Sequence, residues 1–216
     1  MSVDYIKADW PAPDSVMAGT TVRNSRYQLP ATPVILKQVH GTRVVRIGTA
    51  DFVGGSPEAD AVIASRPGDI CVVRTADCLP VLLCCRDGGE VAAIHAGWRG
   101  LAGGVIEATL GAMQTSPANL LAWLGPAISQ AAFEVGPEVR ERFGSWGRIE
   151  GLFRPNERGR LQADLYGLAK ARLAAAGVAE VYGGGLCTYA DKERFYSYRR
   201  DGETGRMLSF IYLKKP

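Results

Sequence analysis

The stretch ICVVRTADCLPVLLCCRDGGEVAAIHAGWRG, residues 70–100, decides the fold class. Three runs within it, ICVVRTA, VLLCC and VAAIHA, are apolar almost throughout rather than alternating. Strands covered on both faces read that way. Asp87-Gly88-Gly89 separates the last two as a turn signal. Upstream, DAVIAS (60–65) ends at Arg66-Pro67-Gly68-Asp69. VILKQV (34–39) and RVVRI (43–47) are β-branched segments flanking His40-Gly41-Thr42. Residues 1–30 read as an extended lead-in with two short strands. Downstream, LLAWLG and VAEVYGG read as further strands. Residues 101–115 place Leu101, Val105, Ala108, Leu110 and Met113 mostly along one helical face. Residues 164–176 read as a helix capped by Asp164 and stopped by Gly177. A shorter helix is expected over 137–143, with Pro137 in its first turn. RFYSYRRDGETGRMLSFIYL (194–213) reads as a hairpin. The expected class is α/β (α+β) with a mixed sheet.

Bulk composition sets limits on function. A chain of 216 residues with 47% hydrophobic and 22% charged residues buries about 70% of its unfolded surface without staples. Disorder and low complexity are excluded. The net charge of +3 argues against a nucleic-acid partner. Residues 192–216 nevertheless carry seven Lys/Arg against three Asp/Glu, a basic segment suited either to solvent or to an anion. No apolar run reaches the ~18–20 residues of a membrane helix, and the N-terminus lacks a signal-peptide pattern. Five cysteines, two of them adjacent, show no CxxC spacing. Reduced thiols in the cytoplasm are the expectation.

The only two histidines, His40 and His95, both end strand-like runs and open into glycine-containing turns. Cys78 lies between them in the TADCLP turn. Strand ends that open into loops are where binding groups concentrate. A His/Cys/His set leaves a fourth tetrahedral position open, the catalytic form of a zinc site. The same residues also compose a thiolate–imidazole pair for acyl transfer, and each alone reads more plainly as structural. Cys71, Cys84 and Cys85 read as core. Arg99, in HAGWRGLAGG at a helix start, reads as an anion contact. There is neither a Walker loop nor a dinucleotide fingerprint. Arg199, Arg200 and Arg206 are further candidate anion contacts, or a solvated hairpin tip.

Taken together, Lys37-Gln38-Val39-His40-Gly41, Thr75-Ala76-Asp77-Cys78-Leu79-Pro80, His95-Ala96-Gly97-Trp98-Arg99-Gly100, Leu124-Gly125-Pro126-Ala127-Ile128, Phe133-Glu134-Val135-Gly136, Cys187-Thr188, Phe195-Tyr196-Ser197-Tyr198-Arg199-Arg200-Asp201 and Thr204-Gly205-Arg206 closely resemble the YfiH-type family. That family is also labelled polyphenol oxidase (laccase domain) or purine nucleoside phosphorylase. The resemblance implies a four-layer α-β-β-α sandwich with mixed sheets, a single domain over 1–216 with a shortened N-terminal region (1–31). It implies zinc on His40, Cys78 and His95, with copper as a second candidate. It further implies phosphorolysis of adenosine, inosine, guanosine and methylthioadenosine, and adenosine deamination. Some members are credited instead with peptidoglycan-precursor editing. Two departures stand out. Thr21-Val22-Arg23 is followed by Asn24-Ser25 where a Gly-Gly turn is expected, and some tens of residues are then missing before Pro33. An opened pocket, or a wall supplied by a second chain, would follow. Arg74 stands where an apolar residue is expected.

The implied roles are catalysis by Cys78, His95 and Asp77, and substrate or phosphate binding by Arg99, Lys37 and Arg199. Asp77 is the candidate for proton transfer or for orienting a ligand histidine. A multicopper oxidase needs on the order of ten imidazoles, two or three per copper; two histidines cannot supply them. Alternatives are a Cys–His hydrolase and a binding module without turnover.

Overall fold

A computed structural model describes residues 4–49, 52, 55–147 and 149–215. In chain order the elements are β1 (Tyr5–Lys7), β2 (Val16–Thr21), β3 (Val44–Arg46), β4 (Ala61–Ala64), β5 (Ile70–Thr75), β6 (Leu79–Cys85) and β7 (Val91–Ala96), then α1 (Trp98–Gly103) and α2 (Val105–Ala112). There follow β8 (Leu120–Leu124), β9 (Glu134–Val135), α3 (Pro137–Glu141), β10 (Phe153–Pro155), β11 (Leu161–Ala163), α4 (Leu165–Ala175), β12 (Glu180–Gly183), α5 (Tyr198–Asp201) and β13 (Met207–Leu213).

The apolar runs behave as their composition dictates. Strand β6 is buried at all seven positions because it sits inside a six-stranded sheet ordered β12-β8-β6-β7-β4-β3. The outermost pairs, β12–β8 and β3–β4, are parallel and the inner pairs antiparallel, so the sheet is mixed. One face, with Val81, Leu83, Ile94 and Ala122, packs on Leu101, Val105, Leu168 and Leu173 from α1, α2 and α4. The other, with Leu82, Cys84, Ala93 and Trp123, packs on Cys71, Val73 and Ile211. Those belong to an antiparallel four-stranded sheet, β1-β2-β13-β5. Leucines 82 and 83 are fully buried on opposite faces, and truncating either to alanine costs about 2–5 kcal/mol. The outer face of the smaller sheet, with Ile70, Val72, Phe210 and Tyr212, is covered by Tyr27, Leu29 and Ile35. The chain is therefore a single mixed α+β domain. Its expected fourth layer is present as the irregular segment 22–35, which holds no helix.

Three local expectations need correcting. The helix expected over 101–115 is broken into α1 and α2 at Gly104, whose φ of 93° ends one helix and caps the next. The strand expected over 34–39 is reduced to the isolated bridges Val34–Cys71 and Lys37–Glu58. Gln38 supplies the missing ladder itself. Its side-chain amide donates to Arg74 O at 2.9 Å, and its carbonyl accepts from Arg74 N at 2.8 Å. The first arm of the expected 194–213 hairpin is instead α5 and its lead-in. Arg200 gathers the carbonyls of Thr188, Tyr189 and Phe195, which curls that arm away. Strand β13 pairs with β2 and β5. The small sheet β10-β11-β9 was not foreseen in the sequence.

Candidate metal centre

The ladder between β6 and β7 builds half of the site. Leu79 pairs with Ala96 and Pro80 with His95, so Cys78, just before β6, comes level with the end of β7. His95 is 3% exposed. His40 arrives from an irregular segment in a left-handed conformation, φ 61°, which is strained for a residue with a Cβ. The ligand atoms of His40, Cys78 and His95 all lie within 4.8 Å of one another. Cys78 Sγ is 3.8 Å from His40 Nε2, close to the roughly 3.6 Å that tetrahedral zinc–sulfur and zinc–nitrogen bonds require. A Cβ placed on Gly97 would meet His40 Cδ2 at 2.9 Å and Cys78 Sγ at 3.0 Å. Only glycine leaves that space free. The donor set, its spacing and this cradle fit a single borderline-soft ion.

One buried carboxylate organises both histidines. Asp60, fully buried, accepts from His95 Nδ1–H at 2.8 Å and leaves Nε2 for the centre. It also accepts the backbone N–H groups of Val39, His40 and Gly41 at 3.2, 2.9 and 2.7 Å. These bonds hold His40 in its strained conformation. Burial pushes Asp60 up, but the His95 and backbone bonds outweigh it and the carboxyl titrates below its ordinary value. Burial of Cys78 is likewise outweighed, here by hydrogen bonds and charge from His40 and His95, which bring the thiol down to about 6. His95 is raised to about 9, against its burial, by Asp60 and Cys78. Sequence reasoning missed Asp60. An acid preceding a strand is too common to mark, and its three amide partners lie about 20 residues away.

Asp77 touches neither histidine. Its Oδ1 accepts from Thr188 Oγ1 at 2.6 Å and its Oδ2 from Arg199 N at 2.7 Å. Its φ is 97°. It thus fastens the Cys78 turn to α5, and the histidine-orienting contact is made by Asp60 instead. Arg99 lies over the Trp98 ring, 4.4 Å from its centroid. With α1 only six residues long, an anion there would depend on the guanidinium rather than on the helix terminus. Arg199 lies over Phe133 and donates to Glu134 O at 2.9 Å. Lys37 pairs with Glu58 at 3.2 Å.

A cavity of about 830 Å³ opens over the three ligand side chains, within the range of small-molecule sites. Trp98, Phe133 and Tyr198 give it flat apolar faces, and Lys37, Arg74, Arg99, Arg199 and Arg206 give it positive charge. Tyr198 and Phe133 were not singled out as site residues in the sequence; Arg74, a charge where an apolar residue is expected, reaches the pocket rather than solvent alone.

Fold and site define a mixed α+β domain carrying a His/Cys/His centre at the base of a cationic pocket. The chain belongs to the family described as multi-copper polyphenol oxidoreductase laccase, whose family model matches residues 10–214. It is similar to the Shigella flexneri protein named purine nucleoside phosphorylase YfiH, 51% identical over 185 residues, covering 86% of this chain and 75% of the relative. A Pseudomonas aeruginosa protein named purine nucleoside phosphorylase is 41% identical over 242 aligned positions, covering 97% of this chain and 98% of the relative. Among solved structures, a Neisseria meningitidis protein superposes with a TM-score of 0.91 at 42% identity, covering 99% of this chain and 100% of that one.

Proposed function

We propose that the chain is a cytoplasmic, zinc-dependent purine nucleoside phosphorylase that also deaminates adenosine, with adenosine, inosine, guanosine and methylthioadenosine as substrates. The observation that carries this reading is the convergence of His40, Cys78 and His95 within 4.8 Å beneath an aromatic and cationic cavity. The relatives named purine nucleoside phosphorylase support the substrate class.

His40, Cys78 and His95 would hold the ion, which supplies Lewis acidity and lowers the pKa of water toward ~7. Asp60 keeps His95 in the tautomer a ligand needs. Trp98, Phe133 and Tyr198 offer stacking faces to a purine. Arg99, with Lys37 and Arg199, would hold phosphate beside C1′ of the ribose. A phosphate oxygen then bonds to C1′ as the glycosidic C–N bond breaks, and the purine nitrogen leaves with the electron pair and takes up a proton. Asp77 positions the Arg199 backbone for this.

The test is to purify the protein without a metal-affinity tag, measure bound metals, and assay adenosine with and without phosphate. Zinc near one equivalent and phosphate-dependent release of adenine are expected. Undiminished turnover by metal-free protein would overturn the zinc mechanism.

A second reading, a Cys–His hydrolase acting on an amide or a peptidoglycan precursor, is favoured by the Cys78 thiol brought down to about 6 beside His40 and His95. It predicts amide turnover by metal-free protein that a thiol alkylator abolishes. A copper polyphenol oxidase follows the family's description, but two histidines in the chain cannot supply a multicopper centre.

A further inference from the structure

The cavity carries more positive charge than one phosphate requires. Arg74, Arg99, Arg199 and Arg206 all line it. Among the described residues none of the four forms an ion pair, whereas Arg46, Arg66, Arg86, Arg158, Arg172 and Arg194 each meet a carboxylate. Among the described residues the cavity's one carboxylate is Asp77, which commits its oxygens to Thr188 and the Arg199 amide. Arginines kept free of counterions around a concave site are what recognition of anionic groups demands.

The four separate into two groups. Arg99 and Arg199 lie over Trp98 and Phe133. Arg74 and Arg206 come from the end of the smaller sheet. Arg74 is the one exposed residue of β5, and Leu208 of β13 is its cross-strand partner. Arg206, one residue before β13, lies two positions from that partner, and both arginines line the same cavity. The Gln38 amide bonds both the N–H and the carbonyl of Arg74. Its guanidinium makes a single long contact, 3.4 Å to Leu36 O. Arg206 uses only Nη1, on the carbonyls of Thr204 and Gly205. A guanidinium has five N–H donors, so both have most of theirs to offer.

We propose that Arg74 and Arg206 form a second anion subsite, which takes a phosphate monoester borne by the nucleoside itself. The pocket would then prefer a purine nucleoside 5′-phosphate to the unphosphorylated nucleoside. This rests on the purine reading of the pocket given above and extends it: Arg99 and Arg199 are left for the free anion. Two such guanidinium groups lining one cavity suit a single phosphate held between them, and the fixed Arg74 backbone lowers the entropy lost on binding.

Calorimetric titration of the purified full-length chain tests this, with adenosine, adenosine 5′-monophosphate and inorganic phosphate as probes. The monophosphate should bind about tenfold more tightly than adenosine at low salt, and high salt should shrink the difference. Arg74→Leu should remove most of the preference and leave adenosine affinity within about twofold, as expected for a residue contacting only the added phosphate. Arg206→Gln should act in the same direction. Equal binding of the two purine ligands by the wild type overturns the subsite, as does equal weakening of both by Arg74→Leu. Inorganic phosphate binding that depends on Arg74, without a preference for the monophosphate, overturns it as well. Adenosine turnover without that preference refutes this inference alone. Failure of both purine ligands to bind refutes the purine reading with it.

Discussion

The two walls of the pocket are built on opposite principles. On the histidine wall, the supporting carboxylate is saturated before any ligand arrives. Asp60 is buried, holds His95 and three consecutive amides, and fixes His40 at a strained φ. On the arginine wall, the backbone is secured by Asp77, Thr188 and Gln38, while the guanidinium groups of Arg74, Arg99, Arg199 and Arg206 meet no carboxylate among the described residues. Ligands for an ion must be held within tenths of an ångström, so their supports are dry and saturated. Groups that meet a mobile, hydrated anion do better with spare donors and flexible stems.

Substitutions at the two aspartates should separate the walls. Asp60→Asn is expected to have the largest effect, a loss of about 10–100-fold in metal affinity, read by chelator competition, with turnover falling in parallel. Retained metal affinity would show that the two histidines hold their places without Asp60. Asp77→Ala should leave metal content intact and raise the KM for phosphate by about tenfold, since one displaced charge-assisted contact is worth about 1.4 kcal/mol. A drop in bound metal instead would place Asp77 with the histidine wall. Arg99→Gln should be milder, a severalfold rise in phosphate KM that shrinks as salt is added.

A change outside both walls supplies the control. Buried Glu90 meets Arg46 at 2.7 Å and accepts from the amides of Gln114 and Thr115. Burial raises its pKa, but these bonds outweigh it and hold the carboxyl below its ordinary 4.5. A lowered folded-state pKa means the unfolded chain binds the extra proton first. Glu90 therefore stabilises the fold fully above pH 4.5 and loses that contribution as the pH falls further. Thermal melting of the wild type and Glu90→Gln should show a gap at neutral pH that closes in acid. A gap independent of pH would mean that packing, not charge, sets its worth.

Much of the fold was legible along the chain. Runs such as VLLCC and VAAIHA announce strands covered on both faces, and Asp164 with Gly177 brackets α4 closely. The expectations that gave way did so to contacts distant in sequence. VILKQV has the residues of a strand, yet Gln38 satisfies the edge of β5 with its side chain. RFYSYRR has the residues of a strand too, yet Arg200 finds three carbonyls and curls it. At the site, His40, Cys78 and His95 were readable as scarce, chemically apt residues at strand ends. Asp60 was not, because a carboxylate becomes special only through what surrounds it.

The sequence by itself determined the strand-rich core, the mixed class of the domain and the three side chains that can bind a soft ion. Those follow from local residue chemistry and periodicity, which act within a few positions. Only the tertiary structure decided that Asp60 pins both histidines, that Asp77 secures α5, and that four arginines share one cavity with no counterion among the described residues. The first two depend on contacts between residues 20, 35 and 122 positions apart, Asp60 with His40 and His95 and Asp77 with Arg199. Burial and charge pairing are properties of that arrangement.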